Sequence, residues 1–300
     1  MPRVKRQIDD VHTARKCARG YKPRAAVGGL ALVYGFLMAT AAMTAFAPDA
    51  NALRVTMKRV LFEGSKRADI IVLINNTNEE AVYRLGWRRM RMTETQSIVA
   101  VEEGEATPDI KPADDFVKYA PRRVVLPPGG SQQVRLMLRK PQDLPDGEYR
   151  SHFWIEPEAS AVKFEPKGDN VDATKGPAVQ IKMLTGVTMP VIVRTGNLTV
   201  TGGIVDGFVT RGAEKSKAQF TLTREGTRSL YGDLEFTCGA TVVHKVNGLA
   251  VYTEVGKRIL DFDINGLPAD CGTVKVVYKA AEDDAQYRGG VIAEASLPVR

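Results

Sequence analysis

The sequence has little with which to run covalent, redox or metal chemistry. Three cysteines and three histidines are all it holds in 300 residues. No glycine-rich phosphate loop, nucleophile elbow, HExxH or CxxC motif occurs. Ser151 and His152 are neighbours on a segment that reads as a strand, so they project to opposite faces and cannot act as nucleophile and base. Beyond the amino-terminal region, only His152 and His244 accompany Cys238 and Cys271, with no zinc-ligand spacing. These absences predict a protein that is not an enzyme, has no metal or cofactor, and takes no small-molecule substrate.

Basic charge is equally thin once it is located. The net charge is +7, but residues 1–52 hold eight Lys or Arg against Asp9, Asp10 and Asp49, which is +5, leaving +2 for the other 248 residues. The body of the chain therefore has no general phosphate-binding character, and no nucleic-acid partner is expected.

One long apolar run is present, "AAVGGLALVYGFLMATAAMTAFA" at 25–47, after a basic stretch and before "PDANA". Ala50 and Ala52 fit the small-residue cleavage pattern of a secretory signal, which puts the mature start at Leu53 and residues 1–52 in an export leader. The alternative is an uncleaved inner-membrane anchor. Either way the rest of the chain is expected outside the cytoplasm. There, Cys238 and Cys271 read as a disulfide, two buried free thiols being the alternative.

Beyond residue 52 the chain is a series of short β-rich segments punctuated by Gly, Pro, Asn and Asp, with no helical periodicity. "LRVTMKRVLFEG" and "YRLGWRRMRM" alternate, and "ADIIVLINNT" is nearly continuous, as in a strand buried in a core. "VVLPPGGSQQVRLMLR" places a turn between two strands, and most of 94–118 reads as an acidic loop. After "RTGN" at 194–197, seven further strand segments fill about a hundred residues, the count of an immunoglobulin-like sandwich. The prediction is an all-β chain of two Ig-like sandwiches in tandem, over 53–195 and 196–300.

The longest β-rich stretch is "GPAVQIKMLTGVTMPVIVR" at 176–194. Val179, Ile181 and Met183 fall on one face and Gln180 and Lys182 on the other. Pro190 cannot donate to a ladder, so pairing on one side is expected to end or bulge there.

"RVLFEGSKRADIIVLINNT" (59–77), "YAPRRVVLPPGGSQQVRLML" (119–138) and "LPDGEYRSHFWIEP" (144–157), followed by a long strand ending at Arg194, resemble the PapD-like periplasmic pilus chaperones in their order. The resemblance covers 53–195 well and the second domain more weakly. It implies two Ig-like domains in a boomerang and a periplasmic location. It implies pilus or fimbrial subunits as partners, and an outer-membrane usher to receive them. By the same resemblance, Val179, Ile181 and Met183 are the donor-strand residues that fill the slot of an incomplete subunit.

Family members also carry a basic pair that holds the subunit's carboxyl terminus. Its arginine matches Arg59, a solvated surface charge being the alternative. Its lysine position falls near Pro190, and the only lysine on this strand is Lys182. Arg194 resembles the arginine that sets the interdomain hinge. At the place of the family's hinge glutamate, the count along "EYRSHF" puts Arg150, which would repel Arg194 unless an acid such as Glu148 lies between them. Two rivals remain from sequence: a structural Ig-like envelope protein or adhesin without a client groove, and a PapD-like chaperone with a non-pilus client.

Overall fold

A computed structural model of the chain describes residues 53–95, 98–102, 104–158 and 185–300. The leader at 1–52 and the residues Val179, Ile181, Lys182 and Met183 lie outside the described residues. Among the described residues there is no helix, and eighteen strands carry the fold. The described residues belong to one compact unit.

The first sandwich uses β1 (Leu53–Val55), β2 (Val60–Phe62), β3 (Ala68–Asn75), β4 (Ala81–Arg88), β5 (Met90–Arg91), β6 (Val99–Ala100), β7 (Val117–Ala120), β8 (Arg123–Leu126), β9 (Ser131–Leu138), β10 (Gly147–Pro157) and β11 (Val187–Thr195). One sheet runs β1-β3-β9-β7 and the other β2-β11-β10-β4-β8, with β5 and β6 as a separate two-stranded hairpin. Between the sheets, Phe62, Ile71, Leu73, Leu136, Phe153 and Ile155 make a core that excludes water. Alternation explains most of it: β9 buries Val134, Leu136 and Leu138 and turns Ser131, Gln133 and Arg135 outward.

The second sandwich uses β12 (Val200–Thr210), β13 (Lys215–Gly226), β14 (Leu230–Cys238), β15 (Thr241–Val251), β16 (Lys257–Asn265), β17 (Thr273–Ala280) and β18 (Val291–Pro298). These seven match the seven segments expected from the sequence. They form sheets β12-β13-β16 and β15-β14-β17-β18. The fourth strand, β15, pairs with β14 instead of joining the first sheet as in the constant-type immunoglobulin arrangement. Cys238 and Cys271 are disulfide-bonded, with Cα atoms 6.1 Å apart.

Four expectations need correction. "LRVTMKRVLFEG" is two strands in opposite sheets, because the chain crosses over at residues 56–59; β1 pairs with β3, whereas β2 pairs with β11 in parallel. "YRLGWRRMRM" likewise breaks after Arg88, and its end enters the β5–β6 hairpin. β3 is not buried on both faces: Ile71 and Leu73 enter the core, but Ile70 on the outer face is 43% exposed. Finally, the stretch 176–194 is not one strand, since Thr185 and Gly186 belong to none and β11 starts at Val187.

Candidate functional site

β10 explains how the two sandwiches come together. Its odd residues Tyr149, Phe153 and Ile155 pack in the first core. Its even residues Glu148, Arg150 and His152 are buried too, on the opposite face. That face meets the second sandwich. From the first sandwich, Leu61, Met92 and Ile192 pack in the same apolar cluster as Leu230, Leu249, Val251 and Tyr252. Each buried side chain of this kind stabilises the junction by about 1.5–3 kcal/mol.

The polar side of the junction is built from three arginines, each with its own acid. Arg194 Nε donates to Glu148 Oε2 at 2.9 Å, and the same oxygen accepts from the Ser229 backbone N–H at 3.0 Å and hydroxyl at 2.9 Å. Arg150 grips Glu254 through both terminal nitrogens at 2.6 and 2.8 Å, and its guanidinium lies 3.8 Å from the centre of the Tyr252 ring. Glu254 also accepts the Met92 backbone N–H at 2.7 Å, so it ties the β5 end of the first sandwich to the second.

These contacts correct the hinge expectation. Glu148, not Arg150, stands directly across the β10–β11 ladder from Arg194, while Arg150 stands across from Ile192. The two arginines do not oppose each other, because each is neutralised separately.

His152 follows Arg150 on the same face of β10. Its ring centre is 6.2 Å from that of Tyr252, and neither ring nitrogen has a hydrogen-bond partner. Burial, reinforced by the Arg150 charge, pushes its pKa down to about 3. Tyr252 is pushed up to about 12 by the same burial.

Arg59 is the third arginine. It directly precedes β2 and is only 9% exposed. Its guanidinium lies 3.8 Å from the centre of the Tyr231 ring, on β14 of the second sandwich. Nη2 donates to the Asp283 carboxylate, whereas Nη1 is buried without a partner. Burial raises the Tyr231 pKa, with Arg59 opposing the rise. Exposed Lys58 lies against the same wall: a β-carbon at Gly248 would stand 3.5 Å from Lys58 Cδ and 2.7 Å from the Tyr231 hydroxyl. Gly248 has φ +76°, a left-handed conformation that also favours glycine.

β11 supplies the other half of the site. β10 covers one of its edges from Val187 to Thr195, but on the other edge β2 pairs only with Val191, Ile192 and Val193. Among the described residues, no strand pairs with Val187–Pro190 on that side. The ladder stops at Pro190, as a residue without an N–H requires. Because Val60 pairs with Val191, Arg59 sits beside Pro190, where the open edge begins.

Sequence reasoning missed Asp283, Glu254, Tyr231 and Lys58. Arg59 and Asp283 are 224 residues apart, and Arg150 and Glu254 are 104 apart, so no local spacing links them. No cluster of three or more metal-ligating side chains occurs among the described residues.

The described residues thus define a two-sandwich β-protein with buried arginines at its domain junction and an unpaired strand edge beside one of them. No family model matches the chain, and no curated protein matches it. Among solved structures it is similar to the CupB2 chaperone of Pseudomonas aeruginosa, at 11% identity and TM-score 0.40, over 82% of this chain and 100% of that one. It is also similar to a CFA/I fimbrial chaperone–tip adhesin complex, at 14% identity and TM-score 0.40, over 81% and 97%. A third is the CsuC–CsuE chaperone–tip adhesion subunit complex of Acinetobacter baumannii, at 10% identity and TM-score 0.41, over 70% and 90%.

Proposed function

We propose that the protein is a periplasmic chaperone that stabilises pilus or fimbrial subunits by lending them an edge strand, and passes them to an outer-membrane usher. The observation that carries this reading is the open edge of β11 ending at Arg59. A subunit missing one strand has an unpaired sheet edge and an unfilled slot in its core, both of which promote aggregation. A borrowed strand supplies main-chain hydrogen bonds to the edge and alternate side chains to the slot.

On this reading the client's strand has a direction. A client strand along the open edge would lie end to end with β2, which is parallel to β11. If its terminal carboxylate sits at Arg59, it too runs parallel to β11. A guanidinium suits this role because its fork takes both carboxylate oxygens and so fixes register. Met189, Val191 and Val193 face the first core. On this reading Val179, Ile181 and Met183, in the segment that leads into β11, are the slot-filling side chains. Exposed Lys58, next to Arg59 in the chain, offers a second cation.

The test is co-expression with any small secreted β-proteins encoded beside it. The wild-type chain is expected to co-purify with one of them, and Arg59→Ala to lose it while keeping its thermal transition. Arg59→Lys, which keeps the charge but not the fork, should retain part of the complex. Normal complex formation by Arg59→Ala would remove the anchor, and the absence of any client would remove the chaperone reading.

A further inference from the structure

The Arg59 site already holds a carboxylate. Asp283 lies in the turn between β17 and β18 and pairs with Nη2 of Arg59. The rest of that turn is fixed independently. Asp284 forms two hydrogen bonds with buried Arg228, at 2.8 and 2.9 Å. Burial alone would raise the Asp284 pKa, but this pairing holds it at about 2. Gln286 bonds both the N–H and the C=O of Val200, at 3.1 and 3.0 Å. Asp283 takes no part in that framework, and its side chain is 60% exposed against 7% for Arg59. It can swing into solvent without disturbing the turn.

Occupancy is also incomplete. A carboxylate and a guanidinium can form two parallel hydrogen bonds, but Asp283 uses one nitrogen and Nη1 stays buried and unpaired. Leaving a buried donor unsatisfied is costly, so a ligand that engages both nitrogens is favoured over the resident side chain.

We propose that Asp283 is a built-in competitor for the client's terminal carboxylate, holding Arg59 in place in the free protein and being displaced when a client binds. This rests on the strand-lending reading above. It goes further by assigning the second sandwich a part in setting client affinity, since any ligand must outcompete a tethered carboxylate.

The experiment measures binding of a short synthetic peptide of alternating valine and threonine, with a free carboxyl terminus or as its amide, to the full chain. Wild type should prefer the acid over the amide. Asp283→Asn should bind the acid about fivefold tighter, the equivalent of one partly exposed ion pair, and leave the amide unchanged. Asp283→Ser should repeat that shift if the lost carboxylate is its cause. Equal or weaker binding of the acid by both variants would overturn the competitor role while leaving strand lending intact. Failure of every chain to bind either peptide would overturn both.

Discussion

Glu148 and Arg194 face each other across the β10–β11 ladder, and one oxygen of that glutamate joins the two sandwiches. Glu148 Oε2 takes the Arg194 Nε–H at 2.9 Å and two hydrogen bonds from Ser229. Glu148→Ala would leave Arg194 buried with the looser Glu63 contact at 3.5 Å as its ion pair, beside long Nη2 hydrogen bonds to Ser229 at 3.3 and 3.4 Å. The expected loss is about 3–5 kcal/mol, the cost of stranding a buried charge. Urea denaturation of the two proteins checks it. A change within about 0.5 kcal/mol, the range of ordinary surface substitutions, would show that the pair does not hold the junction.

The buried histidine gives the junction an acid limit. The folded-state pKa of His152 is depressed from 6.5 to about 3. The unfolded chain therefore binds the extra proton first, and the stabilisation present above pH 6.5 is lost as pH falls toward 3. Between pH 7 and pH 5 this amounts to about 2 kcal/mol, because each unit below the unfolded pKa costs about 1.4 kcal/mol. Tyr252 packs edge-on to the ring, and the Arg150 charge opposes its protonation. His152→Leu should flatten the pH dependence of the melting temperature from pH 7 to 5. An unchanged slope would mean that the imidazole reaches water.

Much of this architecture is legible in the chain. The seven strands of the second sandwich are readable because turn residues separate them and strands such as β13 and β17 alternate cleanly. Arg59 stands out only through the order of four sequence phrases, since one arginine before an apolar run carries no signal alone. Other features are hidden for physical reasons. The crossover at 56–59 moves the chain between sheets with no Gly or Pro to mark it, the only trace being the adjacent Lys58 and Arg59, so LRVTMKRVLFEG reads as one strand. A sequence count sets Arg150 opposite Arg194 because register across a connection as long as 158–186 cannot be counted from residues alone. The Glu254 and Asp283 partnerships arise only when the two sandwiches meet.

Parity along the donor segment gives a further prediction. If Val179, Ile181 and Met183 enter a client's slot, Ile181→Asp should release a co-expressed subunit and Lys182→Asp should retain it. The expected loss for Ile181→Asp is tenfold or more in recovered complex, as burying an unpaired carboxylate costs well over about 1.4 kcal/mol. Quantifying the subunit that co-purifies with each variant decides it. The reverse order would show that the faces are assigned backwards.

Hydrogen–deuterium exchange at the amides of residues 179–189 that are not bonded to β10, with and without a bound secreted subunit, probes the strand loan itself. Fast exchange in the free protein and strong protection in the complex is the predicted result. Amides already protected when the chain is alone, or exchanging equally fast with a client bound, would contradict it.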